Sequence, residues 1–284
     1  MTITHLSYSQ YNTYTNCPRS WYLGKKVQAE EKQTWYLPIG TAVHNMIEDW
    51  LEHKMFPGQS KQAPGYLPSA ESFFYPLIEK QLLIEPDMGK WLAGGPEANP
   101  IVEDLALQQV KDCFEKALEF LDEIDVWEVE YDATGCLPGL EVPVKAYVDI
   151  IGEHKEHGPV ILDWKTGSQK PKTNFQLETY AAVLDHNAFK HPLYTTDWFT
   201  GLWAMLKPGA SKARPIDLGV SNVDPAEVGA KYQKALNGMK ARMYSTNQGY
   251  NCKMCFHQEN CLVGGGTTDR SVYYDRSSED GFPY

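Results

Sequence analysis

The sequence predicts an α/β protein in which helices flank a mixed sheet. Two features of the chain support this prediction. Amphipathic segments with helical periodicity alternate with short β-branched segments that are separated by turn signals. The 284 residues, 42% of them hydrophobic and 22% charged, have the composition of an ordinary globular protein and suffice to bury a core in one large domain or two small ones.

The first half of the chain is predicted to be mostly helical. Ser7 or Ser9 can cap a first helix that runs toward Cys17, because their side-chain oxygens can accept from free backbone N–H groups. Apolar periodicity indicates three further helices, at about 40–54, 69–84 and 101–124. Residues 57–68 are rich in Pro and Gly and are expected to form a loop. We interpret residues 52–125 as a helical insertion that widens or covers the functional site.

The second half changes to the periodicity of strands. Three short β-branched segments predict strands of one sheet: Val126–Tyr131, Glu141–Ile151 and Pro159–Trp164. Beyond them we expect a helix at about 173–188, a strand at about 197–206 and a long helix at about 224–245. These elements, without an internal repeat, predict a single domain over 1–261, followed by a Gly/Ser-rich tail at 262–284.

The chain carries no signal for a membrane or for secretion. Its apolar runs fall short of the roughly 18 residues that suggest a membrane span. The N-terminal residues lack the basic flank and the apolar stretch of a secretory signal. We therefore expect a cytoplasmic protein that does not bind a membrane.

The net charge of −11 argues against a surface that binds nucleic acid everywhere through its phosphates. A local groove is compatible with it, because the segments 1–26, 164–174 and 203–216 contain basic residues and no acid. Scattered solvated faces would give the same pattern. The first two segments supply five candidate DNA contacts: Arg19, Lys25, Lys26, Lys170 and Lys172.

Four of the six cysteines predict one metal site that joins the two ends of the chain. Cys252 and Cys255 lie within one turn of chain, Cys261 can fold back as a third ligand, and Cys17 precedes Pro18 near the start. In a reducing compartment, metal binding or burial explains six cysteines better than disulfides do. Four thiolates suit an iron-sulfur cluster or a tetrahedral zinc ion, and their spacing does not choose between the two.

The other two cysteines indicate no metal. Cys113 follows a helical apolar stripe and is expected in the core, whereas Cys136 lies in a turn-like segment. Chance spacing of free thiols is the alternative explanation for the four cysteines at the chain ends.

A second group of candidate residues lies on the predicted strands. Two-residue alternation places Asp163 and Lys165 on one side of the third strand and Trp164 on the other. Asp149, on the preceding strand, can add a second carboxylate. Two carboxylates can hold Mg²⁺ or Mn²⁺ while an ammonium group orients water or stabilises charge, as phosphodiester hydrolysis requires. An exposed ion pair on a strand is the alternative, although a buried acid needs compensation.

Together these residues resemble the PD-(D/E)XK nuclease superfamily. Asp149 matches its first acid, and 163–165 (Asp-Trp-Lys) match its second acid, spacer and lysine. The segment 40–44 (Gly-Thr-Ala-Val-His) resembles the helical histidine motif of RecB-like nucleases, and 176–180 resemble their Q-x-x-x-Y helix motif. The cysteine order resembles their iron-sulfur subgroup, which includes the AddB nuclease domain and CRISPR-associated RecB-like exonucleases, some of them phage-borne.

The resemblance implies a fold and an activity. The fold would be restriction-endonuclease-like, with a helical insertion and an iron-sulfur cluster joining the termini. The activity would be that of a metal-dependent DNA exonuclease acting on single-stranded DNA or DNA ends in recombination, repair, or phage or CRISPR DNA processing. Its partners would include recombination or CRISPR-adaptation proteins in the cytoplasm of a bacterium or a phage-infected host.

The resemblance also implies a role for each site residue. The ligands of Mg²⁺ or Mn²⁺ would be His44, Asp149, Asp163 and the backbone carbonyl of Trp164. The catalytic residues would be Asp149, Asp163, Lys165, Gln176 and Tyr180. A 4Fe-4S cluster, with zinc as the alternative, would be held by Cys17, Cys252, Cys255 and Cys261.

Each assignment has a purely structural alternative. His44 can be a core histidine, and Gln176 and Tyr180 can simply pack their helix on the sheet. Two other classes of protein stay open: a DNA-end-binding or adaptor module without catalysis, and a structural zinc protein whose acids only end strands. The intact set of two acids and a lysine disfavours the adaptor module.

Overall fold

A computed structural model describes residues 2–56, 65–92, 101–186, 199–210, 214–219 and 222–261. The predicted tail at 262–284 lies outside these ranges. So do most of the loop expected at 57–68, part of the basic segment at 203–216, and the facing ends of the helix and strand expected at 173–188 and 197–206.

The α-helices follow the apolar periodicity of the sequence. The side chain of Ser7 caps the first one, accepting a hydrogen bond from the backbone N–H of Gln10 at 3.2 Å. The third helix begins at Tyr36 rather than Gly40, because Pro38 is tolerated in a first turn, where a backbone N–H has no helical acceptor. The helices are α1 (Tyr8–Asn16), α2 (Pro18–Tyr22), α3 (Tyr36–Met55), α4 (Ala70–Leu82), α5 (Glu103–Leu121), α6 (Phe175–His186) and α7 (Pro225–Lys240).

The strands form one main sheet and one short pair. They are β1 (Leu6–Ser7), β2 (Ile124–Asp132), β3 (Val144–Lys145), β4 (Tyr147–His154), β5 (Gly158–Lys165), β6 (Thr200–Met205) and β7 (Ile216–Asp217). The main sheet has the order β2-β4-β5-β6-β7; β5 and β6 are parallel and the other neighbours antiparallel. The predicted strand Glu141–Ile151 is divided, because β3 pairs in parallel with β1 before the chain enters the sheet as β4.

Helices cover both faces of this sheet, which confirms the predicted mixed α/β class. Ile161 belongs to an apolar cluster with α1, α6 and α7, whereas Leu162 belongs to a cluster with α3, α4 and α5. Trp164 packs in the same cluster as Leu162, so Asp163 and Lys165 lie on the opposite face, as strand alternation predicts. None of the described helices combines the length and apolar composition that crossing a bilayer demands.

The C-terminal segment packs against the N-terminal helices. The side-chain amide of Asn247 donates to the carbonyl of Asn16 at 2.8 Å, and that of Asn260 donates to the carbonyl of Glu30 at 2.8 Å. These contacts bring the two ends of the described chain side by side, as a shared cysteine site requires.

We expect Gly152→Ala to lower the free energy of unfolding by about 1–3 kcal/mol. The register of β2 shifts between Val126 and Glu128, and a Cβ at Gly152 would lie 2.5 Å from the carbonyl oxygen of Asp125. The backbone would therefore have to move. Chemical denaturation measures the loss, with Gly167→Ala as a control because a Cβ there meets nothing within 4 Å. Equal stability of the two variants would contradict this account of the bulge.

Candidate active site

Two buried carboxylates lie at the centre of the candidate site. The antiparallel register that pairs Ile150 with Leu162 places Asp149 on β4 opposite Asp163 on β5. The two residues are only 8% and 2% exposed, respectively. The backbone N–H of Trp164 donates to Oδ2 of Asp149 at 2.7 Å. Two like charges with little access to water need further compensation, and the neighbouring side chains supply it.

Gln176 connects the acid and the lysine of β5. Its Oε1 accepts from the Lys165 ammonium at 3.1 Å, and its Nε2 donates to Oδ1 of Asp163 at 2.6 Å and to the Tyr180 hydroxyl at 2.8 Å. The Tyr180 hydroxyl donates to the same Asp163 oxygen at 3.3 Å. Lys165 also contacts the other oxygen of Asp163 directly. One helix turn of α6 therefore holds both β5 side chains in fixed orientations.

His44 reaches the same place from the other helical layer. Its neighbours Val43 and Ile47 bury α3 in the second apolar cluster. The imidazole Nδ1 lies 3.8 Å from Oδ1 of Asp149. The predicted site residues on α3, β4, β5 and α6 thus converge.

Glu130, which the sequence analysis did not select, joins this group from β2. Ligand atoms of His44, Glu130 and Asp149 all lie within 4.8 Å of one another. In the β2–β4 register Glu130 falls opposite Asp149, and its φ of 47° is left-handed. That conformation is uncommon for a residue with a side chain, and it costs on the order of 1 kcal/mol or more. The only signal in the sequence is an acid on an alternating strand.

This donor set fits one hard divalent cation. Ligands on opposite sides of an octahedral Mg²⁺ lie roughly 4.2 Å apart, because each Mg–O distance is about 2.1 Å. Two carboxylates and an imidazole are also ligand types that suit Mn²⁺. The carboxylate oxygens of Asp163 contact Lys165, Gln176 and Tyr180 rather than the group of three ligands. Coordination of the cation by Asp163 therefore stays a prediction, as does coordination by the Trp164 carbonyl.

Burial dominates the electrostatics of the group. Burial and the charge of Asp163 raise the pKa of Asp149 well above its usual range. Burial and the charges of Glu48 and Asp163 raise the pKa of Glu130. Burial also lowers the pKa of His44. These shifts have a common cause, the scarcity of water around the group, and a bound cation would offset the cost of the ionised acids.

The four cysteines of the predicted cluster line one cavity. Cys17 reaches it from the start of α2, and the other three reach it from the C-terminal segment, Cys252, Cys255 and Cys261. All four are free and partly buried, and the Cys255 thiol lies 3.8 Å from the Ser20 hydroxyl. Within the described ranges, no three of these sulfur atoms come within 4.8 Å of one another.

The five candidate DNA contacts have different surroundings. Arg19 is 9% exposed, its guanidinium carbon lies 5.5 Å from the ring centroid of Tyr22, and it lines the cysteine cavity. Its role as a DNA contact stays a prediction, although α2 turns the side chain inward against the C-terminal segment. The other four stay predictions; Lys26 is partly buried, and the exposed ones are Lys25, Lys170 and Lys172.

Buried acids, a lysine and a cation-ligand group side by side on a mixed sheet are the groups that a metal-dependent phosphodiesterase needs. A family comparison agrees with this class. Residues 5–262 match the model of the PD-(D/E)XK nuclease superfamily, and the chain belongs to that superfamily. Its five-stranded mixed sheet between helices is consistent with the restriction-endonuclease-like fold. Membership implies a nuclease that uses a divalent cation and has DNA as its substrate.

Two solved structures resemble this chain at low identity. A crystal structure from Eubacterium rectale, of a protein provisionally named an exonuclease, is 13% identical, with 89% of this chain and 88% of that chain covered and a TM-score of 0.48. The crystal structure of SSO0001 is 13% identical, with 77% and 98% covered and a TM-score of 0.31. Comparison with curated protein sequences gives no match.

We expect Mn²⁺ to stabilise the protein more strongly as the pH rises from mildly acidic to mildly alkaline. The raised pKa values of Asp149 and Glu130 mean that protons compete with the cation. Without a cation, these acids contribute stability at low pH that is lost as the pH rises through their raised pKa values. The cation binds the ionised acids, so its effect has the opposite sign.

Thermal unfolding with and without Mn²⁺ across this pH range measures the effect. Asp149→Asn should remove most of the pH dependence, whereas Glu153→Gln, an exposed acid on the same strand, should retain it. A shift in melting temperature that is independent of pH in the unsubstituted protein would contradict the assignment.

Proposed function

We propose that this protein is a RecB-like exonuclease that hydrolyses phosphodiester bonds at DNA ends or in single-stranded DNA with Mg²⁺ or Mn²⁺. The observation that carries the proposal is the contact of Gln176 with both Asp163 and Lys165, beside the group of His44 and Asp149. A helix that only packed on the sheet would not need to place its amide between the two side chains. The catalytic interpretation therefore explains the position of the Gln176 amide, which packing alone does not.

His44, Glu130 and Asp149 would hold the cation, with Asp163 and the Trp164 carbonyl as further proposed ligands. When bound there, the cation would supply Lewis-acid polarisation of the phosphate. The hydrolysis proceeds without a covalent enzyme intermediate in this proposal.

The lysine and the α6 side chains have separate tasks. The Lys165 ammonium positions the attacking water and stabilises the negative charge that develops on the phosphate. Gln176 holds that ammonium through its carbonyl oxygen and holds Asp163 through its amide nitrogen. Burial and the nearby acids raise the pKa of Tyr180, so its hydroxyl keeps its proton and donates it in a hydrogen bond to Asp163.

We further propose a 4Fe-4S cluster at Cys17, Cys252, Cys255 and Cys261, with a structural role at the junction of the chain ends. The sulfur atoms of a tetrahedral zinc site lie roughly 3.8 Å apart, because each Zn–S bond is about 2.3 Å. The four thiols share one cavity, and four thiolates are also the ligand set of a 4Fe-4S cluster.

The route of the DNA and the cellular setting complete the proposal. Lys170 and Lys172 are exposed in the segment that follows the catalytic strand, and Lys25 is exposed beyond α2. We propose that they, with Lys26, contact the DNA backbone electrostatically. As partners we propose proteins of recombination or CRISPR adaptation, and as the location we propose the cytoplasm.

We expect Asp163→Asn and Lys165→Met each to reduce cleavage at least about 100-fold, because each change removes charge at the reacting phosphate. The assay is digestion of labelled linear DNA with Mn²⁺, using substrates with free and with blocked ends. Lys145→Met, a lysine exposed on β3, is the matched control and should cleave normally. Full activity of both site variants would refute the catalytic assignment, and equal cleavage of blocked ends would refute the exonuclease.

We expect Cys252→Ser to lose the cluster and to lower the melting temperature, since the C-terminal segment loses its covalent link to α2. The purified protein should be brown with broad visible absorbance, and the variant should be pale. Cys136→Ser, at an exposed cysteine, is the control and should keep the colour. A colourless protein that contains stoichiometric zinc would overturn the iron-sulfur proposal and leave the nuclease proposal untouched.

A further inference from the structure

The proposed catalytic lysine touches an aromatic ring as well as its two polar partners. The Nζ atom of Lys165 lies 5.0 Å from the ring centroid of Trp203. Trp203 is the partner of Asp163 in the parallel β5–β6 register, and Lys165 lies two residues further along β5 on the same face. The tryptophan thus lies beside the acid and beneath the ammonium.

The indole ring is fixed in this position. Trp203 is 3% exposed, and its Nε1–H donates to Oδ1 of Asn174 at 3.3 Å. Asn174 directly precedes α6, and its carbonyl accepts from the backbone N–H of Glu178 at 3.0 Å. The segment that presents Gln176 to the lysine therefore also orients the ring below the lysine.

The three contacts described for the Lys165 ammonium differ in whether a bound cation or phosphate can compete for them. Asp163 and Gln176 are polar, and both are also engaged with other groups of the site. A cation or a phosphate that enters the site competes for such groups. The face of Trp203 is uncharged and offers neither a ligand atom for a cation nor an N–H or O–H group for a phosphate, so neither competes for it. Cation–π attraction is strongest for tryptophan and increases when the pair is shielded from water.

We propose that Trp203 is a positioning residue that holds the Lys165 ammonium at the reacting phosphate while the polar partners of the lysine rearrange. This inference rests on the proposed nuclease function, since it assigns Trp203 a part in that reaction. If Trp203 only filled the core, any apolar side chain of similar volume could replace it, and the position would not need an aromatic face. The two explanations therefore differ in how an aromatic and an aliphatic replacement behave.

The test compares three variants of the full chain. Trp203→Phe keeps an aromatic face without the N–H, and Trp203→Leu removes the face. Trp91→Leu is the matched control, because Trp91 is 5% exposed and packs in the other apolar cluster. We expect Trp203→Leu to lower kcat about 2- to 30-fold with little change in KM, and Trp203→Phe to recover most of the loss. Trp91→Leu should lower stability but not kcat.

A spectroscopic measurement is independent of activity. Cε of Lys165 is bonded to the Nζ atom that lies 5.0 Å from the ring centroid, so we expect NMR of lysine labelled at Cε to show one signal shifted upfield by the ring current. The signal is assigned by its loss in Lys165→Met. It should move to the bulk position in Trp203→Leu and stay partly shifted in Trp203→Phe.

Each result decides between the explanations. Equal kcat values for Trp203→Leu and the unsubstituted protein would overturn the inference, as would a phenylalanine variant no better than the leucine variant. The absence of a shifted Lys165 signal would overturn it even in an active enzyme. A shifted signal in a protein that cleaves no DNA would support the contact and refute the proposed function instead.

Discussion

Two ionisable acids buried on neighbouring strands are the constraint on which the site depends. Asp149 and Asp163 face each other across β4 and β5 where water has little access, so every added negative charge raises the cost of ionisation. A backbone N–H from Trp164, the ammonium of Lys165 and the amide of Gln176 each offset part of that cost. Such a surplus of buried negative charge also favours a divalent cation, so the same feature explains both the local network and the chemistry.

The two helical layers meet at this point of the sheet, and each contributes to it. His44 comes from the layer of α3, whereas Gln176 comes from α6 on the opposite face. The predicted insertion supports the first layer: the side chain of Gln81 forms two hydrogen bonds with the backbone of Thr34, at 3.1 and 2.9 Å, just before α3. Both partners are buried, so these bonds are shielded from water. The helices at 70–121 therefore help to set the position of the imidazole.

Local patterns predicted much of this arrangement, and contacts between distant segments account for what they missed. Alternation along β5 was sufficient to place Asp163 and Lys165 together, because it depends on one strand alone. Glu130 was missed because alternation treats it like Glu128, and the left-handed backbone at Glu130 distinguishes the two only in the structure. Trp203 becomes a neighbour of Lys165 only through parallel pairing, which no local pattern encodes.

The burial of Arg19 likewise depends on a segment more than 200 residues away. That distant pairing also constrains the order of events during synthesis. The first helices are synthesised more than 200 residues before the residues around 245–260 that cover them, and they stay uncovered until those residues emerge. Until then, α1 and α2 expose apolar and thiol surface that the finished chain hides. Such late closure slows folding and leaves the nascent chain open to wrong associations, so a chaperone would matter most before the covering residues emerge.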